Sequence, residues 1–320
     1  MATPILCGGE ILLDFISRDR GSGLGESVRF DKRPGGSIFN VVVGLSRLGV
    51  SASFLTKLGN DEFGQGLRRT LEVEGAKTDW VLEGADLKTT LAFVAVNEEG
   101  KPEFRFYRDR VADTRLTTAD VARLNLDNYA IYHFGSIAML EAPSAETYLE
   151  LHRQAQHSAT LTSFDPNVRA SMIEDREAFL AMVQDIARSV DILKLSDEDL
   201  QFLVGDGTLE AALDQLPLSR DALTVITSGS EGATGHFNGH VIHVPGLDVA
   251  VAETTGCGDA FTAALLFQVW NRGGLDALNE PVLMEILGFA NAAAGLVATR
   301  YGGADSMPSL DRVQAFRRSR

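Results

Sequence analysis

The sequence has few cysteines, few basic residues and no long apolar run, and each shortage excludes a class of protein. Its two cysteines, Cys7 and Cys257, are too few for a disulfide framework or a cysteine-based zinc site. Its 29 Lys and Arg residues against 44 Asp and Glu residues leave a net charge of −15. Such a charge disfavours nucleic acid and anionic membranes as partners. No run of about 18 apolar residues occurs, so we expect no membrane span.

The other bulk properties fit a globular protein of the cytoplasm. A length of 320 residues allows one large domain or two domains of ordinary size. The N-terminus, Met1 to Pro4, lacks the basic region and long apolar stretch of a signal peptide. Because the cysteines are few, a reducing compartment is compatible with the chain, and we expect a cytoplasmic location.

Several widespread catalytic motifs are also missing. The glycine-rich stretch 21–25 lacks the G-x-G-x-x-G spacing and follows charged residues instead of a buried strand. A nicotinamide-dependent dehydrogenase is therefore disfavoured. The sequence also has no Walker A lysine motif, no H-E-x-x-H and no G-x-S-x-G.

Short apolar runs alternate with longer helical patterns along the chain. We predict buried strands at Ile5–Cys7, Ser53–Lys57, Ile131–Phe134, Leu161–Phe164, Ile192–Lys194 and Leu223–Thr227. We predict helices at Ser37–Leu48, Phe63–Glu74, Ser144–Gln156, Ala178–Ser189, Ala260–Trp270 and Val282–Thr299. This alternation predicts an α/β fold with a mostly parallel central sheet and helices on both faces. Ligands of such sheets bind at the carboxyl ends of the strands.

Two stretches break the alternation and are typical of antiparallel hairpins. The first joins Leu12–Phe15 to Val28–Lys32, and the second joins Leu91–Val96 to Glu103–Arg108 through the turn 97–102. They are either edge strands of the main sheet or a small separate sheet above the strand ends. In the second case, the segments at about 12–33 and 90–110 would form a lid that excludes water from a phosphoryl-transfer site.

The segment Thr254–Phe261 combines a small, glycine-rich turn with the start of an apolar helix. Backbone N–H groups at a helix N-terminus form an anion site, because they coincide with the positive end of the helix dipole. Asp259 lies at the edge of this turn, where it could take a proton from a group that attacks a phosphate. The competing interpretation is an ordinary glycine turn with Asp259 as a helix cap.

Two polar segments in the N-terminal part of the chain suit a polyol ligand. Gly35 and Gly36 form a second glycine turn before a helix, and Asn40 in its first turns can donate and accept hydrogen bonds. Asp14 lies in an apolar neighbourhood, where a carboxylate needs partners such as sugar hydroxyls. A tight strand-to-helix turn and a solvated Asp14 are the alternatives.

Cationic and acidic residues follow the predicted strands. In the strand 104–108, Phe104, Phe106 and Arg108 share one face, and Arg105 and Tyr107 share the other. Whichever face looks onto the site would add a cation to it. Asp165 and Arg169 follow another strand and are placed to meet a ligand, although Asp-Pro-Asn is also ordinary turn chemistry.

Two further strand ends carry small or acidic residues. Lys194 ends a strand, and the carboxylates from 197 to 199 either stabilise a helix N-terminus or organise hydrated Mg²⁺. Residues 227–232 form a small-residue turn that could pass beneath a ribose or a phosphate.

Two segments together resemble the signatures of the ribokinase-like (PfkB) carbohydrate kinases. Gly35–Val41, with Leu45–Gly49 after it, resembles the N-terminal signature of the family, and Thr254–Phe261 resembles its C-terminal signature. They stand in the family's order and roughly at its separation. The resemblance covers nearly the whole chain and implies one Rossmann-like α/β domain over residues 1–320 with a β-sheet lid. It also implies ATP-dependent phosphorylation of a sugar hydroxyl.

The resemblance implies a role for each matching residue. Asp259 would be the catalytic base, and the N–H groups of Gly256, Cys257 and Gly258 would hold the transferred phosphoryl group. The sugar would be held by Asp14, Gly35, Gly36 and Asn40, with Arg108, Asp165 and Arg169 nearby. The nucleotide site would be lined by Lys194, Thr227, Gly229, Gly232 and Asn291. Ser196 and Asp199 fall where the family organises Mg²⁺ through water.

Three residues depart from the family pattern. Glu253 replaces the usual Asp beside a monovalent-cation site, which places potassium activation in question. Cys257 replaces the usual Ala, and we expect a thiol near the anion site to be sensitive to oxidation. Asp199 is one methylene shorter than the usual Glu, so the organisation of Mg²⁺ can differ.

Within the family, the chain looks most like fructokinases and 2-keto-3-deoxygluconate kinases. A keto acid needs cations for its carboxylate, and Arg108 and Arg169 could supply them. Fructose is preferred, because the N-terminal half resembles bacterial fructokinases. A non-catalytic sugar or nucleotide sensor on the same fold is the alternative from another class. The edges of the lid could pair two subunits into a homodimer.

Overall fold

The computed structural model describes residues 3–19, 21–96 and 102–319 of the chain. Its strands are β1 (Ile5–Gly8), β2 (Leu12–Ser17), β3 (Phe30–Gly35), β4 (Ala52–Gly59), β5 (Val81–Gly84), β6 (Leu91–Val96), β7 (Pro102–Tyr107), β8 (Ile131–Gly135), β9 (Leu161–Asp165), β10 (Ile192–Ser196), β11 (Leu223–Thr227), β12 (Ala233–Phe237) and β13 (His240–Val244). Its helices are α1 (Gly23–Glu26), α2 (Ser37–Arg47), α3 (Glu62–Val73), α4 (Ser144–Ala155), α5 (Arg176–Ala187), α6 (Asp197–Val204), α7 (Leu209–Leu213), α8 (Cys257–Asn271), α9 (Glu280–Ala298) and α10 (Leu310–Arg318).

The main sheet has the order β13-β12-β11-β10-β9-β8-β1-β4-β5. The strands from β11 to β5 in this order run parallel, and β12 and β13 add an antiparallel edge. The prediction of a mostly parallel α/β sheet is therefore confirmed. The β12–β13 hairpin was not predicted, because glycine, threonine and histidine interrupt the apolar residues of both short strands and leave no continuous apolar run of four or more.

The central strands of the main sheet are buried on both faces, whereas the edge strand β13 is partly exposed. In β1, Ile5 and Cys7 join the apolar core on one face, and Leu6 joins the core on the other. Helices α2, α8 and α9 cover the first face, and α4 and α5 cover the second. Central strands of this kind are apolar at consecutive positions, which is why continuous apolar runs identified them.

The two predicted hairpins form one small separate sheet, in the order β3-β2-β6-β7. Strands β2 and β6 pair in parallel at its centre, and each carries an antiparallel partner at the edge. Of the two arrangements that the sequence allowed, the separate sheet is the one found. The first turn contains the short helix α1, and the second turn, at 97–101, lies outside the described residues.

Helix α9 is the one helix of the described chain that is long and apolar enough to cross a membrane. Its mean hydropathy reaches 1.6, although no uninterrupted apolar run marks it in the sequence. Leu283, Ile286 and Leu287 on this helix are buried in the core beside α8. A core helix passes the same test of length and composition, so this feature is weak evidence of a membrane span.

Candidate active site

A cavity of about 940 Å³ lies between the carboxyl ends of the main-sheet strands and the small sheet. Residues of β2 and β7 line it from the small sheet, and residues after β9, β10 and β11 line it from the main sheet. Many of the predicted site residues line this cavity: Asp14, Gly36, Asn40, Arg169, Lys194, Asp199, Thr227, Gly229, Gly256, Gly258 and Asp259. Side chains from distant parts of the sequence therefore meet at one place.

The N-terminus of α8 opens into the cavity. Gly256 is the residue before the helix and has a φ of 83°, a left-handed conformation that favours glycine. A Cβ on Gly256 would also lie 3.1 Å from the Cα of Gly303. The turn is thus built for a glycine, and it leaves Gly256 and Gly258 in the lining at the positive end of the helix dipole.

Cys257 differs from its two glycine neighbours. Its N–H donates to the carbonyl of Thr254 at 3.1 Å, and the residue is not part of the cavity lining. Burial, with the carboxylates of Asp259 and Glu253, raises the pKa of its thiol to about 11. The thiol is protonated at neutral pH, which argues against the oxidation sensitivity that the sequence suggested.

Asp259 is the third residue of α8 and is only 7% exposed. Its Oδ1 accepts a hydrogen bond from Ser37 Oγ at 2.6 Å, and its Oδ2 accepts one from Asn40 Nδ2 at 2.7 Å. Burial raises the pKa of Asp259 above its ordinary value, although both hydrogen bonds and the charges of Lys194 and Arg169 oppose that rise. A carboxylate held this way accepts a proton more readily than one in water.

Asp165 does not line the cavity, in contrast to the prediction, and instead forms a buried ion pair with Lys194. Its Oδ2 lies 3.1 Å from Lys194 Nζ and accepts a longer bond from Thr262 at 3.3 Å. Burial raises the pKa of Asp165 to about 6 despite the nearby lysine. Burial alone would lower the pKa of Lys194, but the carboxylates around it leave that pKa raised. Lys194 is therefore a cation held at the cavity wall, close to Gly258.

Asp14 of β2 faces the cavity with no hydrogen-bond partner among the described residues. Burial raises its pKa to about 6, and the charge of Arg169 opposes that rise. Gly35 is not in the lining, but a Cβ there would collide with the Asp14 carboxylate. Gly35 therefore makes room for Asp14, whose oxygens remain available to hydroxyl donors.

Glu10 is a site residue that the sequence reasoning did not assign. It is 1% exposed and lines the cavity, and its Oε1 accepts the N–H of Ser37 at 2.7 Å. Burial raises its pKa to about 7. Its place just after β1, where a strand ends, is the signal that could have drawn attention to it.

Arg108 lies away from the cavity lining. It is buried and pairs with Asp113 at 2.9 Å and with Glu141 at 3.3 Å. Phe104 and Phe106, which the sequence places on the same face of the strand, do line the cavity. The face with Phe104 and Phe106 is therefore the one that looks onto the cavity, but β7 ends at Tyr107, so Arg108 does not continue its alternation and the prediction for Arg108 is wrong.

The predicted nucleotide residues divide into two groups. Thr227 and Gly229 line the cavity, whereas Gly232 and Asn291 contact the segment 244–246 behind it. Asn291 Nδ2 donates to the carbonyls of Val244 at 3.0 Å and Pro245 at 3.1 Å. Gly232 and Asn291 therefore help to hold the backbone of the segment 244–246 in place.

The acidic residues after β10 fit a hydrated metal ion better than a protein cage. Asp199 Oδ2 accepts the N–H of Ser196 and so caps α6, while its Oδ1 accepts the N–H of Val168 in the loop after β9. No group of three or more metal-ligating side chains occurs within the ranges that the structure describes. Mg²⁺ commonly keeps several waters and binds one or two carboxylates plus phosphates, and Asp199 in the cavity wall suits that mode.

Glu253 is already engaged by protein donors. Its Oε1 accepts a bond from Thr255 Oγ1 at 2.9 Å, and its Oε2 accepts one from the N–H of Gly302 at 2.8 Å. The side chain therefore links the segment before α8 to the loop after α9. Each of these oxygens keeps a lone pair beyond its hydrogen bond, so a monovalent-cation site beside Glu253 stays a prediction.

Comparison with known proteins identifies the class of this protein. The model of the pfkB family carbohydrate kinases matches residues 2–310, so the chain belongs to this family and is a sugar kinase. Fructokinase-2 of Oryza sativa subsp. japonica is 36% identical over 96% of this chain and 91% of its own length.

Two solved structures are similar over nearly their full length. A fructokinase of Xylella fastidiosa with bound ATP has a TM-score of 0.90 and 29% identity, covering 100% of this chain and 99% of its own. A fructokinase double mutant of Vibrio cholerae O395, with fructose, ADP and a potassium ion bound, has a TM-score of 0.84 and 26% identity, covering 98% of each chain. ATP binding accords with this family and fold.

Proposed function

We propose that this sugar kinase transfers the γ-phosphoryl group of ATP to fructose and forms fructose 6-phosphate. The observation that carries the proposal is a buried Asp259 beside the N-terminus of α8, in a cavity that also holds the unpaired carboxylate of Asp14. The fructokinases that the chain resembles over nearly its whole length favour fructose as the acceptor.

The proposed chemistry is a direct in-line transfer. The sugar oxygen bonds to the γ-phosphorus, the bond from that phosphorus to the β–γ bridging oxygen breaks, and ADP leaves. The hydroxyl proton passes to Asp259, because each carboxylate oxygen keeps a lone pair beyond its bond to Ser37 or Asn40. The transferred group meets the N–H groups of Gly256 and Gly258 and the charge of Lys194, which stabilise its oxygens.

A magnesium ion bound with the nucleotide would neutralise phosphate charge. Asp199 is the residue proposed to hold it, through water, since its oxygens already accept the N–H groups of Val168 and Ser196. We assign no catalytic step to a monovalent cation; a site for it beside Glu253 stays a prediction, since each oxygen keeps a lone pair beyond the bond from Thr255 or Gly302.

We propose that the small sheet, within about 12–33 and 90–110, acts as a lid. Phe104 and Phe106 bring apolar rings into the cavity lining, where they would exclude water from the phosphoryl group. Phe104 and Tyr107 are also largely exposed, which supports pairing of two lids in a homodimer. A cytoplasmic location is proposed with this activity, and the free thiols Cys7 and Cys257 are compatible with it.

A keto-acid substrate is the second candidate, and the geometry weakens it. The sequence offered Arg108 and Arg169 as cations for a substrate carboxylate. Arg108 forms ion pairs with Asp113 and Glu141 instead, so Arg169 alone of these two arginines lines the cavity. A carboxylate substrate would also meet the unpaired Asp14, which repels it.

The test is coupled ADP release with fructose, 2-keto-3-deoxygluconate, ribose, tagatose and adenosine in parallel. We expect the highest kcat/KM with fructose and a product that reacts with phosphoglucose isomerase. A higher value for 2-keto-3-deoxygluconate would replace the substrate assignment. Absence of sugar-dependent ADP release across the panel would favour a non-catalytic sensor.

A further inference from the structure

Four polar side chains, from the exposed Arg169 to the buried Asp259, form a row of hydrogen bonds. Arg169 Nη1 donates to Asn167 Oδ1 at 2.7 Å, and Asn167 Nδ2 donates to Ser37 Oγ at 2.7 Å. Ser37 Oγ in turn donates to Asp259 Oδ1 at 2.6 Å. The row joins the loop after β9 to the first residue of α2 and the first turn of α8.

The chemistry of these groups fixes the direction of every hydrogen bond. A guanidinium can only donate, so Arg169 orients the amide of Asn167 with its oxygen outward and its nitrogen toward Ser37. An amide nitrogen also only donates, so it occupies a lone pair of the Ser37 hydroxyl. The single proton of that hydroxyl is then left for Asp259.

The backbone holds both intermediate residues in place. Asn167 has a φ of 39°, in the left-handed region that asparagine tolerates better than most residues, and its N–H donates to Asp165 Oδ1 at 3.0 Å. The N–H of Ser37 donates to the buried Glu10. Neither residue needs a ligand to adopt its position, so the row is organised before substrate binds.

We propose that Ser37 is a positioning residue for the base, and that the row Arg169–Asn167–Ser37 orients the Asp259 carboxylate and stabilises its ionised form. The inference rests on the proposed role of Asp259 as base. It assigns Arg169 to the organisation of the site, in place of a contact with a substrate carboxylate.

The electrostatics of the pocket agree with this role. Burial raises the pKa of Asp259, and the hydrogen bonds from Ser37 and Asn40 are the largest effects that oppose it, ahead of Lys194 and Arg169. The other ionisable groups that interact with Asp259 are Asp165 on β9 and Cys257 on its own helix. Since loss of the Ser37 bond removes a lowering effect, the pKa of the base rises and the base is protonated at a higher pH.

The first experiment is the pH dependence of kcat/KM for fructose at saturating ATP in Ser37→Ala. We expect the acid limb to move to higher pH by about one unit, since a hydrogen bond to a charged group has about that effect. Ser37→Thr keeps a hydroxyl and should restore the wild-type limb. Ser46→Ala is the matched control, because Ser46 is on the same helix and its buried Oγ makes no hydrogen bond within the described chain.

The second experiment reverses the direction of the hydrogen bond between Asn167 and Ser37. Asn167→Asp replaces a donor with an acceptor of the same shape, so the Ser37 proton turns away from Asp259 and the acid limb moves to higher pH. The added charge alone would have the same effect with or without Ser37. A double-mutant cycle separates the two causes: the shift caused by Asn167→Asp should be smaller in the Ser37→Ala background.

The inference is overturned if Ser37→Ala leaves the acid limb of the kcat/KM profile unchanged. It is also overturned if Asn167→Asp shifts that limb equally in the wild-type and Ser37→Ala backgrounds. If Ser37→Ala does not fold, Asn167→Ala carries the test, with a smaller shift in the same direction expected and no shift refuting it. Failure of the base assignment is seen separately, as wild-type turnover in Asp259→Asn.

Discussion

Replacing Asp259 with asparagine separates its catalytic role from its structural role. An asparagine has the same shape but cannot take the hydroxyl proton at neutral pH. Loss of a general base costs about 10²- to 10⁴-fold, so we expect kcat to fall by at least about 100-fold. The fall should appear in kcat and kcat/KM alike, since the interaction is made in the transition state.

The same substitution should cost little stability, and the surrounding contacts show why. An asparagine oxygen can still accept from Ser37, while its NH₂ group would face the NH₂ group of Asn40. Asn40 Oδ1 is buried and has no hydrogen-bond partner among the residues that the structure describes, so rotation of the Asn40 amide supplies an acceptor. Burial also raises the pKa of Asp259, which means that its ionised form is unfavourable in the folded state. A neutral asparagine removes that cost above this pKa, so the melting temperature should be unchanged or higher at pH 8.

Two measurements test this reasoning. Coupled ADP release with fructose gives kcat and KM, and the thermal shift caused by ATP reports nucleotide binding independently of turnover. We expect an ATP shift near that of the wild type together with the large loss of kcat. Wild-type turnover would remove Asp259 from the mechanism, whereas loss of both turnover and the ATP shift would show that the variant disturbs the nucleotide site.

The remaining predictions concern groups around the base. Lys194→Met leaves Asp165 buried without its cation and should cost about 3–5 kcal/mol of unfolding free energy at pH 8. Without the lysine, the pKa of Asp165 rises above its value of about 6, so that cost should shrink as the pH falls towards 6 and be largely absent at pH 5. Equal losses at pH 5 and pH 8 in urea unfolding would contradict the pairing. Asn291→Ala removes the hydrogen bonds that hold the segment 244–246, so it should raise the KM for ATP more than the KM for fructose. Equal changes in the two KM values would count against this. Cys257→Ala should keep wild-type turnover. The wild-type enzyme should resist iodoacetamide at pH 7, because the raised pKa of the Cys257 thiol leaves little thiolate to react, and rapid inactivation would refute this.

The sequence patterns predicted most of the elements that carry the site. The six apolar runs became β1, β4, β8, β9, β10 and β11, because strands buried on both faces are apolar at consecutive positions. The two hairpins were also recognised from their alternation and turns. Their union into one separate sheet depends on the parallel pairing of β2 with β6, which joins residues about 80 positions apart and leaves no local signal.

The sequence also determined which residues could carry the chemistry. Gly256 before α8 is required by a left-handed turn, and the spacing from Gly256 to Asp259 places the carboxylate on the first turn of a helix. Both are local properties of the backbone, so they can be read from neighbouring residues alone.

The tertiary structure decided how these residues are used. Asp259 meets Ser37, 222 positions away, and Asp165 turns from the cavity to Lys194. Arg108 is drawn to Asp113 beyond the end of β7. An unpaired charge in the interior is costly, so each buried charged group needs a partner nearby. Which partner lies near it depends on how distant elements pack against each other. That choice separates the groups that face substrate from those that support them.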